Sequence, residues 1–411
     1  MNKGDTYTIK VEPAGGDKLA KTVVKRTDDR IVLSQNAGMT LNELKRSYET
    51  ILKAQAIYYP VAFQFLRELG AGRQGKVFLG LRQGARGCIT EHAIKLYDPS
   101  LYRSPEEYWT DMGRIASQIS QLQRVQSPNL VTRHSYEETY GIGYIQMEAI
   151  DGMDLTRLMT MDHLQIARAK STDKEWQTFT ETLFFLRRNR AALRPGLVVY
   201  ILRSILRGLE TLHAANFLHY DIKPGNIMID RLGYVKIVDF GRAVLAGEKL
   251  TFLLGSPLYM APETHRREIA SIQADFYSVG LVGIEMLRGR SLTKSHDIDE
   301  ETLLRMKMKL PERLHRILPG YVQKNDYLVS ILGRFIDPEP GNRHHTAKDA
   351  EAGDKGLRIV DKQFAQAGVE TEYSRILSDY LAKLVDTKTS RIEMPRVRSY
   401  SSDVTNVVRS I

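Results

Sequence analysis

Leu41, Leu44, Tyr48, Ile51 and Leu52 recur at helical spacing in LNELKRSYETILKAQAIYY, which predicts one amphipathic helix inside an N-terminal extension of residues 1–60. Ahead of it stand a short alternating run, TYTIKVE, and a polar stretch. From Phe63 to Met147 the pattern shifts to short β-rich runs, KVFLGL, HAIKLY and GIGYIQM, around one polar helical stretch ending QISQLQRV. A small sheet carrying one helix is expected there. After Asp151 the chain reads as mainly helical, with its strongest apolar periodicity in VVYILRSILRGLETLHAA and YSVGLVGIEMLRG, so a boundary falls near Ile150 to Gly152. Residues 156–195 read as a helical, charged segment inserted between core elements. Beyond Asp349, in the stretch 351–411, Tyr373, Ile376, Leu377, Tyr380, Leu381 and Leu384 share one helical face, and the Ser- and Arg-rich end RIEMPRVRSYSSDVTNVVRSI reads as a mobile tail. No internal repeat is present.

The 411 residues are 42% hydrophobic, enough for one large core or two modest ones, and disorder throughout is not expected. No run of about 18 apolar residues occurs, and the opening MNKGDTYTIKVE lacks a signal core, which argues against a membrane span and secretion. A lone Cys88 can form neither an intramolecular disulfide nor a cysteine zinc site. A cytoplasmic protein is therefore expected. The net charge of +10 would suit nucleic acid, anionic membrane or phosphorylated ligands, but the basic residues are spread along the chain, and dedicated nucleic-acid binding is not expected.

Three stretches carry candidate chemistry. In LGAGRQGKVFLG, Gly70, Gly72 and Gly75 leave a backbone without Cβ atoms that can turn tightly and offer amides to phosphate oxygens. A dinucleotide-binding loop would open a helix; here KVFLGL follows at once as a returning strand, so the glycines sit in a hairpin. Further on, Lys95 interrupts the apolar strand HAIKLY, and a charge there needs a partner or a ligand. Last, LHYDIKPGNIMID crowds Asp221, Lys223 and Asn226 around a Pro-Gly turn.

With DFG at 239–241 and SPLYMAPE at 256–263, these motifs follow one another in an order that resembles the eukaryotic-type (Hanks-type) serine/threonine protein kinase family. The resemblance covers residues 63–350 and leaves both ends unexplained. It implies an α+β, bilobal fold: a β-rich N-lobe with one main helix over 61–150 and a larger, mostly helical C-lobe over 151–350. It also implies transfer of the ATP γ-phosphate to protein serine or threonine, with Mg²⁺. On that pattern Asp221 orients the substrate hydroxyl and accepts its proton, and Lys223 offsets charge on the phosphoryl group. Asn226 and Asp239 supply hard oxygen donors to the metal. Lys95 grips the α and β phosphates beneath the amides of the glycine loop. Val77, Ala93 and Met228 match positions around adenine, with Glu148 and Ala149 at the hinge; core packing accounts equally well for the apolar three. Glu263 and Arg343 match a buried structural ion pair, and Asp275 the aspartate that holds the catalytic-loop backbone. Lys223, two residues after the base, and Ser256, placed to touch Asp221 and Lys223, fit serine/threonine rather than tyrosine substrates.

Two positions depart from the family pattern. The helix glutamate that should pair with Lys95 falls by spacing on Gln118, with Glu106 and Glu107 as substitutes if the helix is shifted, or the 41–58 helix as a buttress. Tyr220 stands where many members carry an arginine that reads a phosphate on the activation segment. Tyrosine cannot make that charge-assisted contact, so activity is expected not to depend on phosphorylating Thr251 or its neighbours. The alternative to an active enzyme is a pseudokinase scaffold, for which Gln118 is the support. A small-molecule kinase of similar fold fits the full Ala-Pro-Glu segment poorly. RVRSYSS at 396–402 is a candidate site of self-phosphorylation, and a plain disordered tail is its simpler reading.

Overall fold

The computed structural model describes residues 38–384 apart from 59, 73, 188–189, 250–255, 294–297 and 367–371. The run TYTIKVE, Thr251 and the 396–402 segment lie outside the described residues. The chain divides into two compact units, Met1–Gln121 with His134–Met147, and Leu122–Arg133 with Glu148–Ile411.

The first unit is built on a six-stranded sheet. Its elements are α1 (Leu41–Ala54), β1 (Ala56–Ile57), β2 (Phe63–Gly72), β3 (Gly75–Gln83), β4 (Ile89–Tyr97), α2 (Pro105–Leu122), β5 (Arg133–Thr139) and β6 (Ile142–Glu148), with sheet order β1-β2-β3-β4-β6-β5. Helix α1 starts at a capping box, in which Thr40 accepts from the Glu43 N–H and the Glu43 carboxylate accepts from the Thr40 N–H, so two otherwise orphaned donors are satisfied. The helix predicted at 41–58 ends at Gln55, whose φ of 50° turns the chain into β1. Leu44, Tyr48 and Ile51 are buried in the same cluster as Tyr97, Tyr108 and Ile142, so α1 is part of the unit's core. Ile51→Val removes one buried methylene and is expected to cost about 0.5–1.5 kcal/mol, read as a shift in the urea midpoint; no shift would show that α1 lies outside the cooperative unit.

The second unit is mainly helical. It comprises β7 (Gly152–Asp154), α3 (Leu155–Leu158), α4 (Asp162–Ala169), α5 (Asp173–Thr182), β8 (Phe184–Arg187), β9 (Arg190–Leu193), α6 (Pro195–Ala214), β10 (Phe217–Leu218), β11 (Ile227–Asp230), β12 (Val235–Ile237), β13 (Val244–Leu245), α7 (Pro262–His265), α8 (Ile272–Arg288), α9 (Glu300–Met308), α10 (Leu310–Ile317), α11 (Gly320–Gln323), α12 (Asp326–Phe335), α13 (Ala347–Ala352), α14 (Arg358–Gln366) and α15 (Tyr373–Leu384). Helices α6 and α8 are buried along most of their lengths and pack on each other, as their apolar periodicity requires. The α+β architecture expected from the sequence, with a β-rich first unit and a helical second, is what the structure shows. Among the described residues no helix is long and apolar enough to cross a membrane.

One local expectation is corrected. The charged segment 156–195 is helical only as far as Thr182; FFLRRNRAAL then forms a hairpin that pairs Phe184 with Leu193 and Phe185 with Ala192. An isolated two-stranded hairpin is marginal in water, and this one forms because its residues are buried against helices. Tyr380 of α15 packs on Phe179 and Phe184 and meets His163 Nδ1 through its hydroxyl. Lys383 Nζ pairs with Glu175 at 2.8 Å. Thus the C-terminal helix covers the segment that the sequence read as an insertion.

Candidate active site

In the first unit, Gly70 and Gly72 end β2 and Gly75 opens β3, with Gly72 opposite Gly75 and Gly70 opposite Val77. The glycines therefore lie in a hairpin, as the returning strand predicts. Gly75 has φ of 142°, and a Cβ there would come 1.9 Å from the Leu96 carbonyl oxygen, so only glycine fits. A Cβ at Gly70 or Gly72 would meet no atom within 4 Å. Their backbone is thus open to a close approach, which fits a phosphate cradle. Val77 pairs directly with Lys95, and Leu79 with Ala93. Cross-strand partners share a face and alternate residues of a strand do too, so Val77, Ala93 and Lys95 lie on one face of the β3–β4 ladder. Lys95 is 6% exposed and donates to Gln74 Oε1 at 2.9 Å. Gln118 is buried on α2, while Glu106 and Glu107 are exposed in its first turn. The glutamine, not either glutamate, is the inward residue.

The second unit holds the other candidates. The turn after β10 brings Asp221, Lys223 and Asn226 together within six residues. Lys223 Nζ donates to Asp221 Oδ2 at 2.8 Å, and Asn226 Nδ2 donates to the Asp221 carbonyl at 2.8 Å and to Oδ2 at 3.1 Å. Ser256 donates its hydroxyl to Asp221 Oδ1 at 3.0 Å and accepts from Lys223 at 3.2 Å. The bonds from its amide nitrogen fix the Asn226 carboxamide so that Oδ1, a hard neutral donor, is left for a cation. Asp239 has a left-handed φ of 61°, and its Oδ1 accepts from the Gly241 N–H at 3.3 Å. Oxygen donors at Asn226 and Asp239 fit Mg²⁺ in kind.

The turn is held from below by Asp275 of α8, which is fully buried. Its Oδ2 accepts from the His219 N–H at 2.9 Å and from His213 Nε2 at 2.9 Å, and its Oδ1 accepts from the Tyr220 N–H at 2.8 Å. Burial alone would raise its pKa, but the bond and charge from His213, followed by His219, hold it below the ordinary value. Two consecutive N–H groups gripped by one carboxylate explain how Tyr220 sustains a φ of 61°. His219 accepts from the Asp221 N–H at Nδ1 and donates from Nε2 to the Val238 carbonyl, and burial holds its pKa down, so it is a neutral strut between the turn and the Asp239 strand end. Its ring meets Phe240 edge-on at 5.1 Å, and the Arg133 guanidinium lies over the Phe240 ring. The Tyr220 ring is buried, with its hydroxyl beside Thr264 and Ser271.

Glu148 uses its carboxylate on Lys236, at 2.8 and 3.1 Å, and on the Thr132 N–H. Burial pushes the carboxyl up, and these bonds outweigh it and hold the pKa low. The Glu148 N–H is also used, on the Thr132 carbonyl at 2.9 Å, so of Glu148 the backbone carbonyl is the group that could meet a ligand. Met228 points away from the buried face of β11 that Ile227 and Ile229 occupy, and is half-buried.

His213, already met on Asp275, and Lys307 are residues of the site region that the sequence did not single out. Lys307 of α9 is buried and donates to the carbonyls of Pro257 and Met260, at 2.5 and 2.6 Å, and to His265 Nε2 at 2.9 Å. It clamps the far side of the segment whose near end, Ser256, touches Asp221. Burial pushes its pKa down to about 7, from 10.5. Between those values the unfolded chain holds more protons, so the stability of the native protein relative to Lys307→Met is expected to rise as pH increases from about 7 to 10. Chemical denaturation of both proteins across that range checks it, and a flat or falling difference would refute it.

The protein kinase domain family matches residues 63–350. The chain is 28% identical to serine/threonine-protein kinase PrkC of Bacillus subtilis over 316 residues, 74% of this chain and 42% of that protein. It is likewise 28% identical to serine/threonine-protein kinase PknE of Mycobacterium bovis over 298 residues (71% and 45%) and to human ribosomal protein S6 kinase alpha-1 over 293 residues (71% and 34%). It thus spans less than half the length of these relatives. The matched span takes in the glycine hairpin, the Asp221 turn and more than half of the sequence, and on that ground this chain belongs to the protein kinase domain family.

Proposed function

We propose that the chain is a serine/threonine protein kinase that transfers the γ-phosphate of ATP to protein hydroxyls. The observation that carries the reading is the Asp221 cluster: one carboxylate with a cation, a carboxamide and a hydroxyl already bonded to it. Phosphoryl transfer asks the protein for positioning and charge neutralisation rather than covalent chemistry. Asp221 orients the substrate hydroxyl and takes its proton. Lys223 offsets the charge of the transferring group, and Ser256 keeps the two in register. Lys95 and the Gly70–Gly75 amides grip the other phosphates. Mg²⁺, when bound, supplies further neutralisation of the phosphates, and Asn226 and Asp239 are the residues that would hold it. Lys223 and Ser256 support serine/threonine substrates, and three similar kinases named above include two called serine/threonine-protein kinases. The single cysteine in 411 residues supports a cytoplasmic setting.

Labelled ATP with Mg²⁺ and a generic basic protein, followed by mass spectrometry of the chain itself, tests the reading and reports any self-phosphorylation, including at 396–402. Buried Gln118 favours one second reading, a pseudokinase scaffold, which predicts nucleotide or partner binding with no transfer. Activity is also proposed to be independent of activation-segment phosphorylation. A buried tyrosine ring at 220 supports this, since it offers no guanidinium to a phosphate. Phosphatase-treated and ATP-pretreated protein are expected to show equal initial rates, and strong stimulation by pretreatment would refute the claim.

A further inference from the structure

Away from the Asp221 turn, the second unit has a cavity of about 280 Å³ walled by Arg190 of β9, Arg288 and Arg290 at the end of α8, and the apolar side chains of Leu287, Ile317 and Leu318. A volume near 280 Å³ exceeds several times the roughly 30 Å³ share of a water molecule. The three arginines form no ion pair among the described residues. Arg288 is half-buried and spends one nitrogen, Nη1, on the Ser291 carbonyl at 3.2 Å, while its buried Nε has no hydrogen-bond partner among the described residues. The nearby carboxylate of Glu285 accepts from the Tyr259 hydroxyl at 2.6 Å and is one counter-charge to three cations. Burial, then Arg290, lowers the Arg288 pKa, Glu285 opposes this, and Arg190 adds to the lowering, so Arg288 feels both other cations. Converging guanidinium groups with an unused buried donor are a costly arrangement unless an anion completes it.

We propose that this cavity is a binding site for a phosphomonoester, with the phosphate on Arg190, Arg288 and Arg290 and the organic part against Leu287, Ile317 and Leu318. A phosphate dianion offers three acceptor oxygens and two charges, which match three forked donors better than a carboxylate does. The apolar wall favours an organic phosphate over the free ion. Nothing in the site involves the Asp221 turn, so the proposal stands apart from the kinase reading and is tested without ATP.

The test is fluorescence anisotropy of the full chain with a labelled phosphoserine heptapeptide, its unphosphorylated counterpart, and inorganic phosphate as competitor, all at one ionic strength held with NaCl so that screening is constant. The phosphopeptide is expected to bind, the unphosphorylated peptide not to, and Arg288→Gln with Arg290→Gln to weaken binding at least tenfold. If inorganic phosphate competes as well as an unlabelled phosphopeptide does, the apolar wall contributes nothing and the assignment to a phosphomonoester is overturned; if it competes poorly, the assignment is supported. Arg290→Gln alone alters an exposed side chain and provides the same readout should the double variant fail to fold. Equal affinity for both peptides, or phosphopeptide binding unchanged by Arg290→Gln, would overturn the site. Kinase rates on a generic substrate are expected to be unchanged in Arg290→Gln.

Discussion

Asp221→Asn is expected to lower phosphoryl transfer by about 10²- to 10⁴-fold, the usual worth of a positioned general base, while the melting temperature stays close to that of the wild type. The amide has the same shape as the carboxylate it replaces. Asp221 Oδ2 faces two donors, Lys223 and Asn226, and Oδ1 faces the Ser256 hydroxyl. An asparagine can keep its carbonyl toward the two nitrogen donors and turn its amide to Ser256, because a hydroxyl accepts as readily as it donates. The turn should therefore hold its form, anchored as it is through Asp275. What disappears is the acceptor for the substrate proton. A steady-state assay paired with a melting curve separates the outcomes. Retained activity removes Asp221 from the chemistry, and a collapse in stability with lost activity would make its role structural.

The second large effect is on folding. Arg343→Met is expected to destabilise the second unit by about 3–5 kcal/mol, the cost of stranding one partner of a buried ion pair. All five N–H groups of Arg343 are used: Nη1 on Glu263 Oε1 at 2.6 Å and on the Gln273 carbonyl, Nη2 on Glu263 Oε2 at 2.9 Å and on the Pro338 carbonyl, and Nε on the Asp337 carbonyl. Its guanidinium also lies 4.9 Å from the Tyr277 ring centroid. Methionine would leave Glu263 charged, buried and unpaired, with three carbonyls short of a donor. The pair links α7, which follows the Ser256 segment, to the loop before α13. Urea denaturation measures the loss, and the double variant Glu263→Met/Arg343→Met is expected to be less destabilised than the sum of the single changes, since it strands no charge. Additive losses would show that the two side chains do not act as a pair.

Much of the site was legible because its spacing is local. Asp221, Lys223 and Asn226 lie within six residues, so backbone geometry alone brings them together, and the glycine hairpin is a matter of φ and pairing register. Ser256, Glu263, Arg343 and Asp275 were legible only through the resemblance, since nothing near them in the chain announces a distant partner. Lys307 and His213 were missed for a related reason. In EETLLRMKMKL a lysine reads as a solvated helical charge, and only the packing of α9 beneath Pro257 and Met260 buries it. The 184–193 hairpin was misread because its residues have no clear period of their own, and burial against neighbouring elements decided their conformation. In the same way, Arg190, Arg288 and Arg290 are three unremarkable basic residues in the sequence.

By itself the sequence determined the α+β class, with a β-rich part ahead of a mainly helical one, the hairpin glycines and the polar turn, because hydrophobic period and short-range sterics act over a few residues. The tertiary structure decided which charges are buried and by what they are held: Asp275 under the turn, Lys307 under the Ser256 segment, Arg343 on Glu263, and three arginines around one cavity. Those outcomes depend on desolvation and on partners tens of residues away, and neither quantity is written in any local stretch of chain.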